Sequence, residues 1–280
     1  MRKYILAGAG SLLVTLSVMI SGWMPRTESA SLPHTAVSST ETPAPISVDS
    51  LYNRYLDDLY LSADLGASGL DQVVFEKAVT GFYNLKNAGK ISSEKSIISI
   101  ADMNQSSSSK RLWVIDLDKK EVILNTWVAH GKNTGDDKAT RFSNINSSNQ
   151  SSLGFYITGE VYYGKHGRSL RLDGMDNGYN DNARRRAIVV HGADYVSQGT
   201  INALGRLGRS LGCPAVASHL SDKLINTIEG KTVLFINGAD QRYTSKYLDN
   251  QLAAAFATNS LDGTGSVQEL LPTKSLQVGI

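Results

Sequence analysis

A mainly β domain with short helices, of the α+β class, is what this 280-residue chain predicts. Three observations predict it. Apolar, β-branched runs of strand length recur between about residues 95 and 240, two of them around a short polar turn. Clear helical periodicity is confined mostly to segments before and after that region, with only short helices inside it. Asn, Ser and Gly cluster between the runs, and no internal repeat organises them.

The elements follow in order. Residues 1–30 read as an export segment: Arg2 and Lys3 open it, Tyr4 to Ile20 is mostly apolar, and small residues surround Ser29. The apolar stretch approaches the ~17–25 residues that span a bilayer, so an uncleaved anchor is the competing reading. The remainder is expected outside the cytoplasm, in the periplasm or cell envelope, and on a membrane only if this segment stays attached. Residues 31–50 are rich in Ser, Thr, Pro and Ala and read as a disordered linker. Residues 51–94 predict a small helical cap. Leu51, Tyr55 and Leu59 share one stripe, and Leu70, Val74, Ala78, Phe82 and Leu85 share another.

Strands are expected at Ile97–Ala101, Leu112–Leu117, Glu121–His130, Leu153–Tyr163, Ala187–Ala193 and Thr232–Asn237. The second and third form a hairpin over Asp118-Lys119-Lys120. A long polar loop is expected from Gly131 to Ser152, and loops of that length are usually functional. Short helices are expected around Ile201–Leu207 and from Ser218 to Glu229, and a last one from Ser245 to Thr258. Residues 95–240 thus form the predicted catalytic-size domain, and 241–280 a C-terminal helix and loose tail.

Charge excludes one class of function. The formal charge of +2 disappears with residues 1–29, which hold Arg2, Lys3 and Arg26 against Glu28. A neutral remainder offers no broad footprint for nucleic acid. The triplet Arg184-Arg185-Arg186 reads as a solvated face, with a role toward a substrate anion left open.

The chain has one cysteine, Cys213, in the run Ser210-Leu211-Gly212-Cys213-Pro214-Ala215. An unpaired cysteine in an exported protein points to intermolecular pairing or to a reactive thiol. A thiol attacks as thiolate, and an imidazole that accepts its proton makes that attack feasible near neutrality. His191, in the strand-like run Ala187 to Gly192, is the candidate base. Gly212 allows close backbone approach, and N–H groups around Gly212 and Cys213 offer an oxyanion site; Pro214 has no N–H to give. Asp194 or the Gly192 carbonyl would orient the imidazole. The alternative is a buried apolar cysteine beside a hydrogen-bonded strand histidine.

The stretch from His191 to Ala215 resembles the L,D-transpeptidase catalytic domain, the YkuD-like cysteine enzymes, whose signature is a histidine followed by Ser/Thr-His-Gly-Cys. Ser210, Gly212 and Cys213 match it, and His191 takes the upstream position. Phe142-Ser143-Asn144 and Ser151 to Tyr156 are similar to the family's Thr-Pro-x-Gly-x-Phe segment. The resemblance covers about residues 95–240 and suits the divergent branch described as murein L,D-transpeptidase catalytic domain proteins. Leu211 stands where the family has histidine, and Pro214-Ala215 where it has an apolar residue followed by Arg or Asn.

The resemblance implies a β-sandwich catalytic domain acting on peptidoglycan stem peptides without a cofactor. Cys213 would form a thioester with release of D-Ala, and an amine acceptor would complete the cross-link; water instead would give an L,D-carboxypeptidase. Ser210, Gly212 and Gly192 would shape the loop and oxyanion site; Arg209 would hold that loop or a substrate carboxylate, and His130 and His166 would make loop hydrogen bonds or line the substrate groove. Two other functions are weighed: a non-catalytic envelope-binding module, and a zinc-dependent cell-wall peptidase using His130, His166 and His191. None of those histidines has the spacing of a known zinc motif, so no metal is expected.

Overall fold

The computed structural model describes residues 47–262, with side chains described through residue 259. The expected export segment, most of the linker and the tail beyond residue 262 lie outside those residues. The chain runs through α1 (Val48–Ser62), α2 (Gln72–Asn87), β1 (Ile97–Asp102), β2 (Leu112–Asp116), β3 (Glu121–Thr126), β4 (Gly154–Gly164) and β5 (Gly167–Gly174). It continues through β6 (Val189–Ala193), α3 (Gln198–Leu204), β7 (Ala215–Ala217), α4 (Ser218–Ile228), β8 (Val233–Asn237) and α5 (Asn250–Asp262).

All eight strands join one sheet in the order β3-β2-β1-β8-β4-β5-β6-β7. The sheet curls until its ends meet. Leu112 of β2 and Val190 and Val216 of β6 and β7 line one small apolar cavity, and Ala129, just past β3, donates to Ala215 O of β7 at 2.8 Å. Closure of this kind leaves few unpaired edges. The mainly β class with short helices therefore holds, as a curled, nearly closed sheet.

Two cores follow from the period-2 alternation of the strands. Ile98, Ile100, Trp113, Phe155 and Phe235 face outward to α1, α2 and α5. Ala101, Val114, Tyr156, Leu170, Val190 and Leu234 face the interior, which α4 closes with Leu224, Ile225 and Ile228. The helical cap is thus a layer on the sheet, completed by the C-terminal helix. Its approach depends on Gly81, where a Cβ would lie 2.1 Å from the Phe155 ring. Gly81→Ala is expected to destabilise the domain by about 1–3 kcal/mol in urea denaturation, the usual cost of overpacking a filled core.

Three expectations need correction. Helix α1 begins at Val48, inside the expected linker, because Ser47 caps it by accepting from Ser50 N at 3.1 Å. The expected Ser245–Thr258 helix is broken. A 3₁₀ turn at Lys246–Leu248 precedes α5, and buried Asn84 donates to both Tyr247 O and Asp249 O at 2.8 Å across the break. Strands β5 and β7 were not expected. β5 has only two apolar residues, Leu170 and Leu172, among polar or small neighbours, and β7 is three residues long.

Candidate active site

Strand β6 sets the site. Its neighbours are β5, with Ser169 opposite His191, and β7, with His191 opposite Ala215 in parallel register. Facing residues of a ladder project to the same side, and Cys213 lies in the turn two residues before Ala215, where β7 begins. His191 is buried, and its Nδ1 donates to Gly192 O at 2.8 Å. That bond places the proton on Nδ1 and leaves the Nε2 lone pair available. Asp194, the other candidate to orient the ring, accepts instead from Ser218 Oγ at 2.6 Å. Gly192 is needed for a second reason: a Cβ there would lie 2.9 Å from Ser221 Oγ of α4.

The loop carrying Cys213 is held from three directions. Ser210 Oγ donates to Cys213 O at 2.7 Å and accepts from Gly212 N at 3.0 Å, closing a tight turn on itself. Ser210 N donates to His130 O at 2.9 Å, and Lys132 N to Ser210 O at 2.8 Å. Ser151 Oγ accepts from Gly131 N at 3.0 Å and donates to Gly212 O at 3.1 Å. Gly212 has φ +129°, and a Cβ on it would sit 2.8 Å from Gln150 O. Only glycine fits there. Because its N–H is directed to Ser210, Gly212 shapes the loop and does not supply an oxyanion donor.

Beyond Cys213, Pro214 packs among Leu112, Val190, Val216 and Leu234 around a cavity of about 10 Å³. Its ring fills an apolar interior position, while Ala215 pairs with Ala129. Leu211, in the position before Gly-Cys, is exposed.

The Cys213 thiol donates to Ala187 O at 3.6 Å rather than to the imidazole. Burial pushes the thiol up, opposed by the backbone at Val189 and by the charges of Arg186 and Lys165. Burial pushes His191 down, and nearby His166 and Lys165 push the same way. The Lys165 charge therefore reaches both groups. Burial, with the nearby Cys213 thiol, raises the Tyr195 hydroxyl to about 12.

Of Arg209, His130 and His166, His166 alone touches His191, its ring stacked on that imidazole. His130 is buried, and its Nδ1 accepts from Arg111 Nη2 at 2.7 Å. A guanidinium has no lone pair, so the His130 proton is on Nε2, facing Gly135 O at 3.4 Å. Its contribution is structural, through the carbonyl that receives Ser210 N. Arg209 ties the loop down: Nη1 meets Gly135 O at 3.0 Å and Asp136 at 3.1 Å. The zinc arrangement fails on geometry, since no group of three His, Cys, Asp or Glu suited to a metal occurs among the described residues.

The arginine triplet is not one solvated face. Arg184 pairs with Asp173 and Glu160, and Arg185 meets Asn182. Arg186 turns inward. It donates to Ser143 O at 2.7 Å, Gln150 O at 2.6 Å, Ser148 Oγ at 3.2 Å and Ser152 Oγ, clamping the 143–152 loop beside Gly212. Arg186→Met is expected to lower thiol reactivity several-fold, through loss of a nearby positive charge and of the clamp. Arg186→Lys should restore only the charge. Iodoacetamide alkylation of both variants at fixed pH checks this, and equal rates in wild type and Arg186→Met would refute it.

A sequence model of the L,D-transpeptidase catalytic domain matches residues 66–237, well over half the chain. The chain belongs to the L,D-transpeptidase catalytic domain family. The family match begins before α2, so the helical layer falls partly within it. No curated protein matches the chain. Among solved structures it is similar to the helical cell shape determining protein Pgp2 from Campylobacter jejuni, at 14% identity and TM-score 0.38 over 69% of this chain and 67% of that one. It is also similar to L,D-transpeptidases from Mycobacterium smegmatis (11% identity, TM-score 0.32) and Mycobacterium tuberculosis (13%, 0.31). The match covers 51% of this chain in both cases, and 59% and 58% of theirs.

Proposed function

We propose that this chain is a peptidoglycan L,D-transpeptidase of the cell envelope in which Cys213 is the nucleophile and His191 its base. The observation that carries the reading is the Nδ1–Gly192 O bond, which leaves Nε2 unprotonated on a strand whose partner, β7, begins two residues after the cysteine. On this reading Sγ leaves Ala187 O and meets the imidazole when substrate binds, as catalytic contacts often tighten only then. His191 accepts the thiol proton as sulfur adds to the carbonyl between the third stem residue and the terminal D-Ala. The Cys213 N–H, without a protein acceptor among the described residues, is the donor for the developing oxyanion. The imidazolium then protonates the leaving D-Ala amine, leaving a thioester. An acceptor amine gives up a proton to His191, attacks the thioester and frees the thiol.

Mass spectrometry of wild type and Cys213→Ala with a disaccharide-tetrapeptide tests this. Wild type is expected to gain the acyl mass with loss of D-Ala, and to form cross-linked dimer when an amine acceptor is added. A tripeptide product alone would assign carboxypeptidase chemistry. An adduct on Cys213→Ala, or cell-wall binding by wild type with no turnover, would remove the cysteine mechanism.

A further inference from the structure

We propose that His166 is a positioning residue, whose stacked ring holds the His191 imidazole in the orientation that receives the thiol proton. The inference rests on the reading of His191 as the base. Strands β4 and β5 form a hairpin whose connection is only Lys165-His166, closed by the Gly164–Gly167 pair. Gly167 takes φ +74°, as a tight turn requires. β5 pairs with β6 through Ser169 and His191, so the hairpin tip overhangs His191 by three residues. There the two imidazoles stack, with centroids 4.3 Å apart and planes 20° from parallel.

Within its buried setting the His191 ring makes one side-chain hydrogen bond among the described residues, Nδ1–Gly192 O, which fixes one edge. The stacked ring of His166 covers one face and opposes tilting of the opposite, Nε2 edge. His166 is itself exposed and has no hydrogen bond among the described residues, so the stack is what orders it.

The same contact adds a charge dependence. The groups that act on His191 are Lys165 and His166 from the hairpin; Lys165 also acts on Cys213, on the loop before β7, and Tyr195 lies near that thiol. Asp194 is turned to Ser218, and among the described residues no carboxylate is seen to act on His191. His166 and Lys165 both oppose proton uptake by His191, so the acid side of the activity profile reflects the hairpin as well as His191 itself.

Two variants and two readouts test the proposal. His166→Phe keeps a flat ring without the charge, and His166→Ala removes both. With the disaccharide-tetrapeptide, His166→Ala is expected to lose about tenfold in kcat with KM little changed, the signature of lost orientation. His166→Phe is expected within about twofold of wild type at pH 8, with its acid limb moved to higher pH. Independently of substrate, the His191 ring resonances, assigned with His191→Gln, should shift and titrate at higher pH in both variants. Unchanged His191 resonances and midpoint in His166→Ala, or a His166→Phe enzyme as slow as His166→Ala, would overturn it. If wild type fails to turn over the muropeptide, the transpeptidase reading falls and the resonance titration still decides the stack.

Discussion

Replacing His191 with glutamine is expected to lower kcat/KM on a tetrapeptide donor by about 10³-fold, within the 10²–10⁴ range of general acid–base catalysis. Cys213→Ser should cost at least as much. The stronger expectation concerns pH. Burial holds the thiol above its usual 9.0 and the imidazole below its usual 6.5, so between those limits both are neutral. The pair then works by proton transfer during attack and not as a preformed thiolate–imidazolium. Turnover should stay flat through neutral pH and fall only below the ordinary imidazole range, as His191 takes up a proton before substrate can deliver one. Alkylation by iodoacetamide, which needs thiolate, should instead keep rising with pH past the ordinary thiol range. A plateau of alkylation below pH 7 would show a preformed ion pair and refute this account.

The parts of this site legible in the sequence are those that chemistry marks by residue type. Cys213 stood out because it is unpaired and framed by Gly and Pro, and His191 because it ends a β-branched run. The group that orients His191 was open between Asp194 and Gly192, and the choice fell to a backbone carbonyl, which no side-chain identity can announce. Arg111 was not singled out, and the tethering roles of Ser151 and Arg186 were not foreseen, for a different reason. Each acts across loops far apart in sequence: Ser151 reaches Gly212, and Arg186 reaches Ser143 and Gln150. Such contacts depend on how the sheet curls, and residue patterning reports only which face of an element is buried. The same limit hid β7, whose strand character comes from pairing with β6 rather than from its own three residues. Conversely, the Arg184–Arg186 run read as uniform because adjacent residues differ only in the direction the folded turn gives them.

Between pH 6.5 and 4 the domain is expected to lose about 3 kcal/mol of stability through His130 alone. Burial, with the Arg111 charge against Nδ1, pushes this imidazole down to about 4. In the unfolded chain the same ring takes up a proton near 6.5. Within that window the unfolded state binds more protons than the folded one, so stability rises with pH. The contribution is fully present above about 6.5, falls as the pH drops and is gone below about 4. Urea denaturation at several pH values, compared with His130→Asn, isolates it. The asparagine carbonyl still accepts from Arg111 but does not titrate, so the variant should lose this slope whatever its stability at pH 7. Equal slopes in the two proteins would exclude His130 as the source. The effect bears on the candidate chemistry because His130 O receives Ser210 N at 2.9 Å, and Ser210 Oγ in turn holds the Cys213 carbonyl at 2.7 Å. Proton uptake at His130 would set two cations against each other beneath that turn. Acid should therefore loosen the nucleophile loop before the domain unfolds, and faster hydrogen exchange at Ser210 and Gly212 would report it.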